Sequence, residues 1–216
     1  MCHRISALPR RAILCWVVAA GLAAFGGPPA FAQAPAEAAQ PVQALEAALI
    51  GVMKAGRGTS FDQRYQMLAP VVQRTFDMPA VLRAAVGLGW AKIPAGQQAL
   101  LLQAFIQYST ANWVSNFDSY SGQSFRLLPG RALGGGYVVA TELVPASGAP
   151  HRFDFVMRQT GSGWRAVDVL QDGTISQVAV LRSDFEQLLS QDPTGAQLTE
   201  SLKQKAANMA MASAPV

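Results

Sequence analysis

From Ile93 to Phe117 the chain carries no Asp, Glu, Lys or Arg. Apolar and aromatic side chains recur through it at Leu102, Phe105, Ile106, Trp113 and Phe117, and then at Tyr120, close to helical spacing. Leu100, Leu101, Ala104, Tyr108 and Val114 spread the apolar surface beyond one stripe. A helix that is apolar over most of its circumference is buried on more than one side. Gln97, Gln98, Gln103, Gln107, Ser109, Thr110, Asn112 and Asn116 make the stretch too polar for a membrane span. It therefore predicts a central helix of a soluble fold, starting after Pro94 and wrapped by protein or by something apolar that the protein holds.

The first residues predict a segment that is not part of that fold. Arg4, Arg10 and Arg11 precede an apolar run from Ala12 to Phe25, and Ala30-Phe31-Ala32 has the form of a signal-peptide cleavage site. The expected organisation is a signal peptide over 1–32, a flexible Ala/Gln/Pro-rich leader over 33–41, one domain over 42–207 and a disordered tail over 208–216. Both cysteines, Cys2 and Cys15, leave with the signal, so the mature chain has no disulfide. Cys15 stands at the start of the apolar run rather than behind it, which argues against a lipoprotein cysteine. Of the 17 Lys and Arg, three lie in the signal; the remaining 14 face 13 Asp and Glu, a net charge of +1. Without a basic patch, nucleic-acid binding loses its support. A secretory signal on a cysteine-free, nearly neutral chain points to the bacterial periplasm.

Along the domain, Pro41 opens a helical pattern through Val42, Leu45, Ala48, Leu49 and Val52. Ser60 is a natural N-cap for a second helix carrying Phe61, Tyr65, Leu68 and Val72, which Pro70 is expected to kink or shorten. Asp77 caps a third, with Pro79 in its first turn. From Gly122 the period becomes alternating. Strands are predicted over 123–128, 136–144, 151–159 and 164–170, with Thr174 to Val180 extended or loop. In the third strand His151, Phe153, Phe155 and Met157 share one face and Arg152, Asp154 and Arg158 the other. Ser183 and Glu186 read as a capping box for a short helix, and a last helix runs from Thr194 to about Ala207. Helices followed by a strand meander predict a single α+β domain, with the helices on one face of a four-stranded antiparallel sheet.

Chemistry fails at the inventory stage. Outside the signal there is one histidine, His151, and no cysteine, which excludes a Cys nucleophile and any site needing two His ligands. Gly134-Gly135-Gly136 leads into a strand rather than a helix N-terminus, so it reads as a hairpin turn and not a phosphate cradle. Asp168, Asp172 and Asp184 are too scattered for a working carboxylate pair. No enzymatic reaction, metal or cofactor is expected. What remains is aromatic and apolar surface on the central helix and the sheet, and periodicity alone leaves open whether that core is solid or hollow.

Three segments carry a resemblance. VGLGWAKIPAGQQALLLQAFIQYST, the upstream FDMPAVLRAAVG, and WRAVDVLQDGTISQVAVLRSDFEQLL together resemble the periplasmic phospholipid carriers of the MlaC type. The wording DGTISQVAVLRSDF is most similar to the hopanoid-associated HpnM branch of that family. The chain departs from the usual family pattern in having Ala95-Gly96-Gln97, with no acidic residue, after the proline that opens the central helix. The resemblance implies an NTF2-like architecture with an internal apolar cavity, and a non-catalytic carrier that shields acyl or hopanoid hydrocarbon between inner and outer membranes. It implies a phospholipid or hopanoid ligand, membrane-bound donor and acceptor complexes, and a monomer. The lipid-contacting residues expected on that basis are Leu102, Phe105, Ile106, Tyr108, Trp113 and Phe117 from the central helix, with Tyr137, Val139, Phe153, Phe155 and Met157 from the strands. The rival expectations are an interaction module with a solid core, and an enzyme of similar architecture using Asp168 with His151.

Overall fold

The structure, a computed structural model, describes residues 35–213. Six α-helices and six strands follow in chain order: α1 (Ala36–Ala55), α2 (Phe61–Thr75), α3 (Met78–Val86), α4 (Ala95–Asn116), β1 (Ser124–Leu127), β2 (Arg131–Leu133), β3 (Gly136–Val144), β4 (His151–Thr160), β5 (Gly163–Gln171), β6 (Ile175–Ser176), α5 (Gln177–Gln191) and α6 (Ala196–Ala212). A 3-10 turn, Gly87–Lys92, joins α3 to α4. No helix among the described residues is long and apolar enough to cross a membrane. The signal segment and the last three residues lie outside the described part.

Local signals set several boundaries. The Ser60 hydroxyl accepts from the Gln63 N–H at 3.2 Å while the Gln63 side chain accepts from the Ser60 N–H at 3.2 Å, closing a capping box on α2. Asp77 accepts from the Ala80 N–H at 3.1 Å and opens α3. Tertiary packing overrides the prolines. Helix α1 starts at Ala36, ahead of Pro41, because Ala38 and Ala39 are buried in the core; the Pro41 carbonyl instead accepts from the Thr75 hydroxyl at 3.0 Å. Pro70 likewise sits inside α2 and does not shorten it, since Leu68, Val72 and Thr75 on both sides of it are buried.

The sheet is antiparallel, in the order β1-β3-β4-β5-β6, with β2 also paired to β3. It exceeds the four expected strands at its edges. Leu127 pairs with Thr141 and Arg131 with Val138, so β1 and β2 are one edge strand interrupted at Pro129-Gly130. The interruption hides β2 from sequence reading, because Pro and Gly end a strand pattern. Gly130 is forced by close approach: a Cβ there would lie 2.4 Å from the Val138 carbonyl oxygen and 2.5 Å from the Tyr137 ring. The Asp172-Gly173 turn, both residues at positive φ, leads into the two-residue β6 rather than a longer extended segment. Helix α5 then begins at Gln177, capped by Ser176. Ser183 falls inside that helix, so the Ser183–Glu186 capping box does not form. The last helix, α6, continues past Ala207 to Ala212.

One face of the sheet carries Tyr137, Val139, Thr141 and Leu143 opposite Met157, Phe155, Phe153 and His151. Helices α1, α2, α3 and α5 pack against the sheet through β3 and β5. Helix α4 is central as expected: it touches α1, α2, α3 and α6, and its Leu101, Ala104, Phe105, Ala111 and Val114 are fully buried. Helix α6 packs on α4 and α5, so the C-terminal helices do not form a pair laid on the sheet. On the opposite face, Asp154 is buried, its carboxylate taking bonds of 2.8 and 3.1 Å from Arg152, which departs from the simple apolar-in, polar-out reading of β4.

Gly130→Ala is expected to destabilise the protein by about 1–3 kcal/mol, because the edge strand must move to admit the methyl group. Urea denaturation followed by far-ultraviolet circular dichroism measures it; an unchanged midpoint would show that the edge yields freely.

Candidate functional site

The face of the sheet shared with the helices is filled at one end and hollow at the other. Tyr137, Val139, Phe155 and Met157 are buried in the filled end. Toward Leu143, His151 and Phe153 the helices part from the strands and leave a cavity of about 570 Å³. Phe105, Tyr108, Asn112, Trp113, Asn116 and Phe117 wall it on the α4 side. Met78 and Val81 of α3 and Val178, Val180 and Leu181 of α5 close its flanks, with Val169 and Gln171 on β5.

A chain of rings supports the wall. Phe155 lies 6.3 Å from Phe76, Phe76 lies 6.1 Å from Trp113, Trp113 lies 5.5 Å from Phe117, and Phe117 lies 6.3 Å from Phe125. Such tilted and offset contacts each add roughly 0.5–1.5 kcal/mol beyond area burial. The rings run from sheet to α4 and back to the sheet edge. Phe105 closes the other side, edge-on to Phe185 at 6.4 Å.

Five of the eleven residues singled out from the sequence therefore line the cavity: Phe105, Tyr108, Trp113, Phe117 and Phe153. The other six do not. Leu102 and Ile106 are half-buried on α4. Tyr137, Val139 and Met157 belong to the filled end, and Phe155 stands behind Phe76. Sequence reading missed Phe76, whose signal was its place just before the Asp77 cap in an extended backbone, and it missed the α3 and α5 walls. Val178 and Val180 escaped because the stretch holding them was read as extended or loop.

The polar groups at the cavity are mostly committed to structure. Asp168 accepts from the Ser176 hydroxyl at 2.5 Å and from the N–H groups of Val169 and Val178 at 2.8 and 3.1 Å. It thereby fastens the first turn of α5 to β5. His151 is exposed at the rim, and no hydrogen bond joins it to Asp168 among the described residues. Burial, and behind it the negative charge of Asp184, raise the pKa of the Tyr108 phenol. The Lys205 ammonium covers that ring at 5.9 Å. Among the described residues no Lys or Arg lines the cavity. Among the described residues no group of three or more His, Cys, Asp or Glu is placed to hold a metal ion.

Beside the cavity wall lies one buried carboxyl. Glu46 of α1 lies beside the Thr141 hydroxyl, which donates to the carbonyl of its strand neighbour Phe153 at 3.4 Å. Burial pushes the Glu46 pKa up to about 7 from an ordinary 4.5, against the opposing effect of the neighbouring Thr141 hydroxyl. Its Oε1 has no hydrogen-bond partner among the described residues.

The fold and its hollow end define an α+β protein with a cavity of mixed aromatic, aliphatic and polar lining between helices and sheet. The family model described as "MlaC protein" matches residues 43–204. The chain belongs to the MlaC family. Curated protein sequences give no match. Among solved structures it is similar to a phospholipid-binding protein from Ralstonia solanacearum, determined in complex with a phospholipid. That likeness has a TM-score of 0.70 at 18% identity and covers 81% of this chain and 99% of that one.

Two outcomes are expected here. Asp168→Ala removes the acceptor that holds α5 and lowers stability by about 1–2 kcal/mol, with faster amide exchange in 177–181 than elsewhere; uniform exchange would contradict the capping role. The folded state holds the Glu46 proton more tightly than the unfolded chain, so its contribution to stability is full below pH 4.5 and is lost as pH rises through about 7. Glu46→Gln is therefore more stable than the parent at pH 8, and the advantage vanishes near pH 4.5; thermal melts across that range check the sign.

Proposed function

We propose that this protein is a periplasmic lipid carrier, non-catalytic, exported with a cleaved signal peptide and working as a monomer. Its cavity takes hydrocarbon while the polar head stays at the rim. The observation that carries the reading is the hollow end of the sheet: a space of about 570 Å³ walled by Phe76, Phe105, Trp113, Phe117 and Phe153. Ligand pockets run from about 300 to 1,000 Å³ and are mainly apolar with a few polar groups. Membership of the MlaC family supports it, as does the shared fold of the Ralstonia protein that was solved with a phospholipid. A solid-core interaction module accounts less well for that space.

The energetics suit transport rather than permanent capture. Exposing an acyl chain of about 16 methylenes costs ~13 kcal/mol at ~0.8 kcal/mol each. Two chains exceed ~25 kcal/mol, beyond the ~18–21 kcal/mol ceiling of non-covalent affinity. A bilayer is equally apolar, so lipid moves from membrane to cavity at a small net difference. The ligand we propose is phospholipid or, in keeping with the HpnM-like wording of the C-terminal segment, a hopanoid. Membrane-bound complexes would donate and accept it, and the arrangement is NTF2-like. Within the cavity we assign contact to Phe105, Tyr108, Trp113, Phe117 and Phe153.

Native mass spectrometry of protein purified without detergent is expected to show bound lipid. Phe153→Asp and Val180→Asp each place a carboxylate at the cavity and are expected to lose most of it with an unchanged circular dichroism spectrum. A lipid-free parent that takes up none on incubation with vesicles would overturn the proposal.

A further inference from the structure

The turn Gly87–Lys92 carries a feature the cavity does not use. Leu88 is 98% exposed, the most exposed of the large hydrophobic side chains among the described residues. It stands between Gly87, at φ 65°, and Gly89. A scattered surface leucine is ordinary; the surroundings of this one are not. The Arg83 guanidinium lies 5.8 Å over the half-buried Trp90 ring. Arg182 of α5 reaches across to the end of α3, donating to the Ala84 carbonyl at 3.2 and 2.6 Å. Lys92 is exposed at the end of the turn. Between Asp77 and Asp118 the chain has no acidic residue at all. The nearby acids are on α5: Asp184, which lines the cavity, and Glu186, which is exposed.

A bare leucine and a half-buried tryptophan within a collar of three cations are complementary to one kind of surface. Leucine enters the acyl boundary, tryptophan rests at headgroup level, and Arg and Lys meet lipid phosphates. The position adds a reason. Val81 of α3 and Val180 and Leu181 of α5 line the cavity, and Val180 is 43% exposed. The collar residues Arg83 and Arg182 are on those same two helices.

We propose that the Gly87–Lys92 turn docks the protein on an anionic bilayer, inserting Leu88 and setting Arg83, Lys92 and Arg182 against the phosphates. The docked turn brings the flank of the cavity formed by α3 and α5 to the membrane. This adds to the carrier reading and does not depend on it, since a turn can bind a bilayer whatever the cavity holds.

Co-sedimentation of the full mature chain with vesicles of phosphatidylcholine, with and without phosphatidylglycerol, tests it. The parent is expected to bind the anionic vesicles at low salt and to release at high salt. Leu88→Ser, at a side chain that touches almost nothing, should weaken binding by about tenfold. Neutralising Arg83, Lys92 and Arg182 to Gln should weaken it by about fivefold per charge. Phe153→Asp, which alters the cavity, should leave vesicle binding unchanged. Absence of binding to anionic vesicles, equal binding to neutral ones, or indifference to Leu88→Ser overturns the proposal, as does a Leu88-dependent protein complex without vesicle binding. Lipid found in the cavity in any of those cases leaves the carrier reading standing. Intact vesicle binding by a parent that never holds lipid overturns the carrier reading alone.

Discussion

Much of this molecule follows from one uncharged helix that is buried on several sides. Helix α4 has no charged residue and buries Leu101, Ala104, Phe105, Thr110, Ala111 and Val114, while Ala99, Leu100, Gln103 and Gln107 leave one side open to water. Helices α1, α2, α3 and α6 supply cover, but the part bearing Phe105, Tyr108, Asn112 and Trp113 looks across a gap toward the sheet. A sheet face and a helix of this composition, left apart, form an apolar space without further design. A buried arginine ties α4 to its neighbour: Arg64 donates to the Thr59 carbonyl at 3.2 Å and to the Val114 carbonyl at 3.4 Å, joining the start of α2 to α4.

Why the gap does not close is a matter of what stands at its borders. The rings of Phe155, Phe76, Trp113, Phe117 and Phe125 form one contacting series, and large rigid side chains cannot shrink to let α4 settle. On the facing side, α5 is pinned at its first turn by Asp168 and cannot swing in to fill the space. Burial holds the Glu46 carboxyl toward its neutral form, while Asp168 and Asp184 line the cavity itself. Polar groups, among them Ser109, Asn112, Asn116, His151, Gln171 and Gln177, lie along the same cavity and give it an amphiphilic lining.

The legible part of the fold was whatever local chemistry determines. Ser60 as an N-cap, Asp77 before Pro79, and Asp172-Gly173 each state their turn or cap locally, and the structure has them. The start of α5 was not legible, because two serines compete for it and the choice is made by Asp168, a strand residue reaching Ser176 across the turn. Prolines 41 and 70 misled for the opposite reason: their local preference loses to burial of Ala38, Leu68 and Val72. The cavity divides the same way. Helical period marked Leu102, Phe105, Ile106, Trp113, Phe117 and Tyr120 as one series, of which Phe105, Trp113 and Phe117 line the cavity. Alternation in β3 and β4 told which face Val139 and Met157 occupy, but a period of two carries no information about which end of that face the helices cover. Contributions from α3 and α5 exist only once the chain has folded back on itself.

The broken edge formed by β1 and β2 has a consequence for life at high concentration. An open sheet border is a template on which identical chains add strand to strand. Here one border is interrupted by Pro129-Gly130 and the other ends in a strand of two residues. Neither offers a straight row of donors and acceptors long enough for fibril growth. A polypeptide with so much apolar surface around an open hollow is thereby spared the commonest route by which β-rich molecules polymerise.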